Sequence, residues 1–239
     1  MSLKDYDSLP EIMKNNEVKK YYDILNKRRE QLVLKRILDF IGGAIGTIIL
    51  SPIMIVIAII IKCESKGPAL FKQVRVTQYG REFKILKFRT MVVDAEKLGS
   101  QVTSKNDPRV TKVGKFLRKY RLDELPQIIN ILMGDLSFVG TRPEVPRYVN
   151  AYTDEMMATL LLPAGVTSEA SIEFKDEEKI LDNSSNVDND YIYKVLPLKM
   201  KYNLHYIKLF TVLYDIKIMF KTVGAVWGLE EKNSQKLDS

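Results

Sequence analysis

The sequence predicts a mostly helical α+β fold seated on a membrane. Residues 40–61 carry no charged side chain, which gives a membrane helix. Two short β-type runs flank Gln78-Tyr79-Gly80, which gives a small hairpin. Elsewhere apolar residues recur at three- and four-residue spacing with basic residues between them, which gives amphipathic helices able to lie in an interface.

The bulk properties narrow the function. A net charge of +7 calls for an anionic partner: a membrane face, a phosphorylated substrate or nucleic acid. Cys63 is the only cysteine, so no internal disulfide forms and a reducing compartment fits. His205 is the only histidine, which argues against a His-based triad or the usual zinc ligand sets.

Residues 1–34 form a polar N-terminal extension, helical around Tyr21, Tyr22, Ile24 and Leu25, without the short apolar core of a signal peptide. Residues 35–64 form the membrane element. Its charge-free run is long enough to span a hydrocarbon core of about 30 Å. Pro52 sits near its middle, where it removes a backbone donor, and the Ser51 hydroxyl can satisfy the carbonyl so freed. Lys35 and Arg36 precede the run and Lys62 and Lys66 follow it, so the positive-inside rule places both ends on the cytoplasmic side. Two geometries satisfy the residues: a helix that enters, breaks at Ser51-Pro52 and returns, or a Pro-kinked span. Asp39 is expected to pair with Arg36 or a later cation, or to snorkel.

Residues 65–228 carry the remaining elements, and 229–239 are a polar tail. Residues 69–76 and 81–88 are the hairpin strands. Alternation puts Lys87 and Arg89 on one strand face, where they either grip a phosphate or are simply solvated. A short helix is expected at 94–98 and a polar loop at 99–108. Val110, Val113, Phe116 and Leu117 define a basic amphipathic helix. Leu125, Ile128, Ile129 and Leu132 define the next, which must begin near Asp123 because Pro126 is tolerated only in a first turn. Further expectations are a loop at 137–143, helices at 144–157 and 173–181, a turn at Pro163-Ala164-Gly165, a polar loop at 182–190, and a helix at 191–202. A final amphipathic helix carries Leu204, Ile207, Leu213, Ile216, Phe220 and Val223.

The chemistry concentrates at residues 117–144. Asp123 and Glu124 stand between Arg118 and Arg121 upstream and Arg142 downstream. A helix start favours anions, so it would keep these carboxylates ionised and welcome a phosphate. Neighbouring helical residues point about 100° apart, so the two can reach one bound group from different sides. One can act as nucleophile or metal ligand, the other as base or second ligand. A hard cation such as Mg²⁺ suits them, because it takes one or two carboxylates plus substrate phosphates. Acidic residues near a helix start are also ordinary caps. Arg142, in a turn fixed by Pro143, is a bidentate phosphate ligand or a stacking plane for a base.

These residues resemble the monotopic phosphoglycosyl transferases, the bacterial sugar transferase family. The resemblance runs from about Lys35 to Val223. It rests on Lys35-Arg36-Ile37-Leu38-Asp39, Ser51-Pro52, Gly67-Pro68-Ala69-Leu70-Phe71, Lys87-Phe88-Arg89-Thr90-Met91, Leu122-Asp123-Glu124-Leu125-Pro126-Gln127, Gly134-Asp135-Leu136-Ser137-Phe138-Val139-Gly140 and Arg142-Pro143. It implies a re-entrant helix and a monotopic protein on the bacterial inner membrane, its active site facing the cytoplasm. It implies that a UDP-sugar gives its sugar-1-phosphate to polyprenyl (undecaprenyl) phosphate, releasing UMP. It implies Asp123 as covalent nucleophile, Glu124 as helper, Mg²⁺ as cofactor, and Lys87, Arg118 and Arg142 as cations near the phosphates. Downstream glycosyltransferases and a second copy of the chain are compatible partners. Thr141 departs from the family's usual Pro, which predicts a looser turn. Residues 163–172 also depart from the common pattern. Relative to larger members, the chain reads as a catalytic core without their extra N-terminal membrane helices.

Two other classes compete. A basic membrane-tethered scaffold would have no use for Asp123-Glu124, and its basic helix lacks the interleaved aromatics of a nucleic-acid binder. A glycosyltransferase releasing UDP would use Asp188-Asn189-Asp190 as a metal-binding pair.

Overall fold

A computed structural model describes residues 3–95, 107–174 and 187–227. The segments expected at 94–98, 99–108, 173–181 and 182–190 lie largely outside the described residues.

Helix α1, Asn16–Asn26, starts at Asn15, whose side chain accepts the Val18 N–H at 2.8 Å. It buries Val18, Tyr21, Tyr22 and Leu25, one face at helical spacing. With Leu3, Leu9 and Met13 these residues join the largest core cluster, so the N-terminal extension is packed.

Helix α2, Arg29–Glu64, is continuous through Pro52. Pro52 cannot donate to the Ile48 carbonyl, and the Ser51 hydroxyl does so instead at 2.9 Å. Helical hydrogen bonding thus runs through Ser51-Pro52, where a missing backbone donor permits a bend. Before Pro52, Gly42 lies against Phe138, Gly43 against Leu132 and Gly46 against Ile128. Beyond it, Ile57 and Ile61 pack with Phe88 and Leu117. Both halves therefore rest on one domain. The outer face exposes Phe40, Ile41, Ile45, Ile48, Ile49, Ile53, Val56 and Ile59. Only 11% of its most apolar window is buried, unlike a soluble core helix.

Lys35 and Asp39 bind the base of α2 to the domain. The Lys35 ammonium donates to Asp215 at 2.5 Å and to the Val139 carbonyl at 2.9 Å. Asp39 takes neither expected cation; it accepts the Phe138 N–H at 3.1 Å. Arg36 instead donates to the Ile131 and Leu132 carbonyls, at the C-terminal end of a later helix.

Strands β1, Leu70–Val76, and β2, Glu82–Phe88, form the expected antiparallel hairpin, with Gln73 opposite Ile85. Tyr79 adopts φ 60° in its turn. Helix α3, Lys112–Lys119, is capped by Thr111 and is followed by α4, Gln127–Met133. Strand β3, Leu136–Val139, pairs in parallel with β4, Ala164–Thr167. Here the sequence predicted a loop and a turn. Such short parallel strands are created by the contact between them, and their flanking glycines read locally as turns. A Cβ at Gly165 would lie 2.1 Å from the Gly140 nitrogen. Gly165→Ala is therefore expected to cost at least about 1–3 kcal/mol, measured as a lowered melting temperature.

The expected helix at 144–157 is only one turn, α5, Pro146–Val149, followed by a 3₁₀ segment at Met156–Leu161. The Thr153 hydroxyl accepts the Met156 N–H at 3.4 Å and restarts the chain there. Helices α6, Glu169–Glu173, and α7, Val187–Asp190, precede a π-turn at Tyr191–Val195. The two helices expected at 191–202 and from Leu204 onward divide later, as α8, Leu196–Leu209, and α9, Val212–Trp227, so Leu204 and Ile207 belong to the first. Phe210, fully buried, anchors the break, and Arg28 donates to its carbonyl at 2.6 Å. Helix α9 buries Asp215 and Ile218 and exposes Leu213, Ile216, Phe220 and Val223.

Candidate active site

Asp123 and Glu124 sit in a 3₁₀ turn, Leu122–Glu124, ahead of α4 rather than within its first turn. Arg121 enters that turn at φ 56°, in the left-handed region that only tertiary packing sustains in a non-glycine residue. About two helical turns further on, the Asn130 amide accepts the Leu86 N–H at 2.9 Å and donates to the Lys84 carbonyl at 3.0 Å. That pair locks α4 to the free edge of β2 and sets Lys87 opposite Glu124.

Glu124 is the anchor of the cations. Its Oε1 accepts from Arg142 at 2.6 Å and from Lys87 at 3.1 Å. Burial alone would raise its pKa, but Arg142, Lys87 and Arg121 together outweigh burial and hold it well below the usual carboxylate range. Asp123 behaves oppositely. Burial, then the Glu124 charge, push its pKa up against Lys87, Arg118 and Arg121. A helix start does not govern the pair, as the sequence suggested; desolvation and the neighbouring charges do. The Asp123 Oδ1 is buried with no hydrogen-bond partner among the described residues. Burial, and then Arg142, also lower the Lys87 pKa.

The turn carrying Arg142 is firmly held despite Thr141. Gly165 N–H donates to the Thr141 carbonyl at 2.9 Å, and Gly140 N–H donates to Thr167 at 3.0 Å. Arg75 donates to the carbonyl of buried Pro143 at 3.1 Å. Main-chain bonds to β4 thus do the work expected of a proline, and they tie the divergent residues 163–172 to this turn.

Of the cations expected at the site, Lys87 and Arg142 converge on Glu124. Arg118 donates to the Thr90 hydroxyl at 2.9 Å and its charge reaches Asp123. Arg89 does not join them. Strand β2 ends at Phe88, so alternation no longer holds, and Arg89 turns to the Ser65 and Lys66 carbonyls beyond α2, both at 2.8 Å. Ser51 and Pro52 serve α2 alone.

Sequence reasoning missed Arg75 and the network behind it. Arg75 shares its strand face with Lys87 across the hairpin register, and a cation at an inward position was the available signal. Glu144 lies 4.0 Å from Arg75 and accepts from the Tyr191 hydroxyl at 2.5 Å. Lys199 donates to the same hydroxyl at 2.9 Å. No local pattern brings residues so far apart in sequence together.

The alternative acidic pair is spoken for. Asp188 accepts from Arg147 at 2.6 Å and from Tyr148 at 2.7 Å, while Asp190 pairs with Lys194. Among the described residues no three His, Cys, Asp or Glu side chains form a metal cluster. Of the two predicted metal ligands, Glu124 is committed to its cations. Asp123 alone presents a free oxygen, a fit for an ion that takes its other ligands from phosphate and water.

A carboxylate with one buried oxygen lacking a hydrogen-bond partner among the described residues thus lies among cations, in a chain with an outward-facing apolar helix. The chain belongs to the bacterial sugar transferase family, whose profile matches residues 30–228. It is 35% identical over 196 residues to the UDP-N-acetylgalactosamine-undecaprenyl-phosphate N-acetylgalactosaminephosphotransferase of Aeromonas hydrophila, covering 81% of this chain and 43% of that protein. It is 42% identical over 135 residues to a putative undecaprenyl-phosphate N-acetylgalactosaminyl 1-phosphate transferase of Bacillus subtilis, covering 56% of this chain and 75% of that one. To the UDP-glucose:undecaprenyl-phosphate glucose-1-phosphate transferase of Klebsiella pneumoniae it is 38% identical over 195 residues, 80% of this chain and 40% of the relative. The chain thus spans about two-fifths of the Aeromonas and Klebsiella proteins.

Proposed function

We propose that this protein transfers sugar-1-phosphate from a UDP-sugar to polyprenyl (undecaprenyl) phosphate. The observation that carries the reading is the unpaired, buried Asp123 oxygen beside Lys87, Arg118 and the Glu124–Arg142 pair. In the first step an Asp123 carboxylate oxygen attacks the sugar-linked phosphorus. The bond to the bridging oxygen breaks, and UMP leaves with that oxygen. In the second, a polyprenyl phosphate oxygen attacks the same phosphorus and the Asp123 carboxylate departs. A covalent intermediate splits one difficult transfer into two easier ones.

Glu124 is too acidic for a strong base. Its part is to hold Arg142 and Lys87 in place for the phosphates. Arg75 and Arg118 complete the cationic wall. Mg²⁺, held at Asp123, would neutralise diphosphate charge. The two-ended packing of α2 on one domain, with basic flanks, supports a re-entrant helix in the inner membrane and a cytoplasmic site. The exposed apolar face of α9 extends that membrane-facing surface.

The test is intact-mass and peptide mapping after incubation with individual UDP-sugars and Mg²⁺, without lipid. A sugar-phosphate adduct on the peptide containing Asp123 is expected, with UMP released. Lipid product without any adduct would sink the covalent route, and release of UDP would sink phosphosugar transfer altogether.

The direction of the Asp123 shift predicts a pH profile. Protonated Asp123 cannot attack, so adduct formation falls on the acid side. Because burial and Glu124 raise its pKa, that limb lies above the ordinary aspartate value of about 3.9. Glu124→Gln removes one raising cause and is expected to move the limb to lower pH, as read from UMP release against pH.

A further inference from the structure

One buried group at the site has no part in the steps above. Gln127 is 1% exposed, yet its amide Nε2 has no hydrogen-bond partner among the described residues. A buried, unsatisfied amide is costly, and native interiors seldom keep one without a use. Its position points to that use. The backbone from Leu122 to Gln127 is helical throughout, counting the 3₁₀ turn, Leu125 and Pro126. Gln127 therefore lies one turn beyond Asp123, on the same face. Asn130, one turn further along that face, is bonded to β2 at Leu86 and Lys84, and Glu124 meets β2 at Lys87. Gln127 lies between these fixed points along the chain, on the helix face that they share. The two unpaired buried atoms, the Asp123 Oδ1 acceptor and the Gln127 Nε2 donor, do not satisfy each other. They await a group that offers an electrophile to one and an acceptor to the other. A phosphoryl group does both, with its phosphorus and a non-bridging oxygen.

We propose that Gln127 is a catalytic hydrogen-bond donor: its Nε2 binds a non-bridging oxygen of the phosphoryl group that Asp123 attacks. This deepens the proposed function and rests on it. A neutral amide suits the place. A further fixed cation would add to the repulsion already lowering the Lys87 pKa, whereas a preorganised neutral donor stabilises charge developing on the phosphoryl oxygens.

The test compares the full-length wild-type protein with Gln127→Met and Gln127→Asn. It measures pre-steady-state UMP release from a UDP-sugar that modifies the wild type, together with melting temperature in the free state. Methionine keeps the length and removes the unsatisfied polar group, so the free protein is expected to be as stable as the wild type or more so. Adduct formation is expected to slow by about 100-fold at saturating UDP-sugar, the scale of losing one oxyanion donor. Gln127→Asn keeps an amide and is expected to retain more activity than Gln127→Met. A Gln127→Met protein that melts well below the wild type would mark Gln127 as structural and overturn the proposal. So would wild-type adduct formation in a folded Gln127→Met. A wild type that forms an adduct isolates such failures to Gln127. A wild type that releases no UMP from any UDP-sugar would overturn the proposed function and this inference with it.

Discussion

Asp123→Asn is expected to abolish adduct formation and lipid-linked product, by about 10⁴-fold or more if Asp123 is the nucleophile, the scale seen when a catalytic nucleophile is removed. Folding and membrane binding should survive. Burial and the Glu124 charge outweigh the attraction of Lys87, Arg118 and Arg121, so the charged form of Asp123 is net disfavoured in the free protein. Asparagine removes that charge without changing the side-chain size. Flotation with vesicles should show unchanged binding, and the melting temperature should be equal or higher, the usual signature of a residue kept for function at a cost in stability. Glu124→Gln should behave differently. It leaves Arg142 and Lys87 facing each other without their shared anion, so both stability and rate should fall. A folded Asp123→Asn protein with wild-type turnover would end the covalent mechanism.

Lys35→Ala is expected to be the most damaging single change outside the site, costing about 3–5 kcal/mol as a broken buried ion pair. Both partners are buried, and the ammonium also donates to the Val139 carbonyl on β3. Its loss strands the Asp215 carboxylate, which keeps only the Tyr206 hydroxyl at 2.6 Å. Burial already raises the Asp215 pKa against Lys35 and Tyr206, so the orphaned group should take up a proton. The pair joins α2, β3 and α9, so the membrane helix should loosen from the catalytic domain as stability falls. Chemical denaturation of Lys35→Ala, Asp215→Ala and the double variant measures this. The double variant should be less damaged than the sum of the singles. Additive losses would show that the pair carries no coupling.

The parts legible from sequence were those with a local cause. The charge-free run with basic flanks gave the outward-facing helix, because length and hydropathy alone decide what can face hydrocarbon. The hairpin followed from alternation around Gln78-Tyr79-Gly80. The Ser51 hydroxyl on the Ile48 carbonyl followed from the missing proton of Pro52. The clustering of Asp123, Glu124, Lys87 and Arg142 matches the charged groups that the sequence marks.

What the sequence could not supply were relations between distant residues. Arg89 was grouped with Lys87 by alternation, but a strand end one residue earlier sends it to the carbonyls beyond α2. β3 and β4 were read as loop and turn, because four-residue parallel strands exist only once they meet. Thr141 suggested a looser turn, which main-chain bonds to β4 contradict. The opposite fates of Asp123 and Glu124 are the sharpest case. Adjacent carboxylates look alike in sequence. Their acidities diverge because Arg142 and Lys87 close on one, while burial leaves the other unpaired. Sequence by itself determined the charged groups of this cluster and the long apolar helix of the same chain. Tertiary structure alone decided which carboxylate is paired with cations and which keeps an oxygen without a hydrogen bond, because desolvation and charge pairing depend on distances that no local pattern encodes.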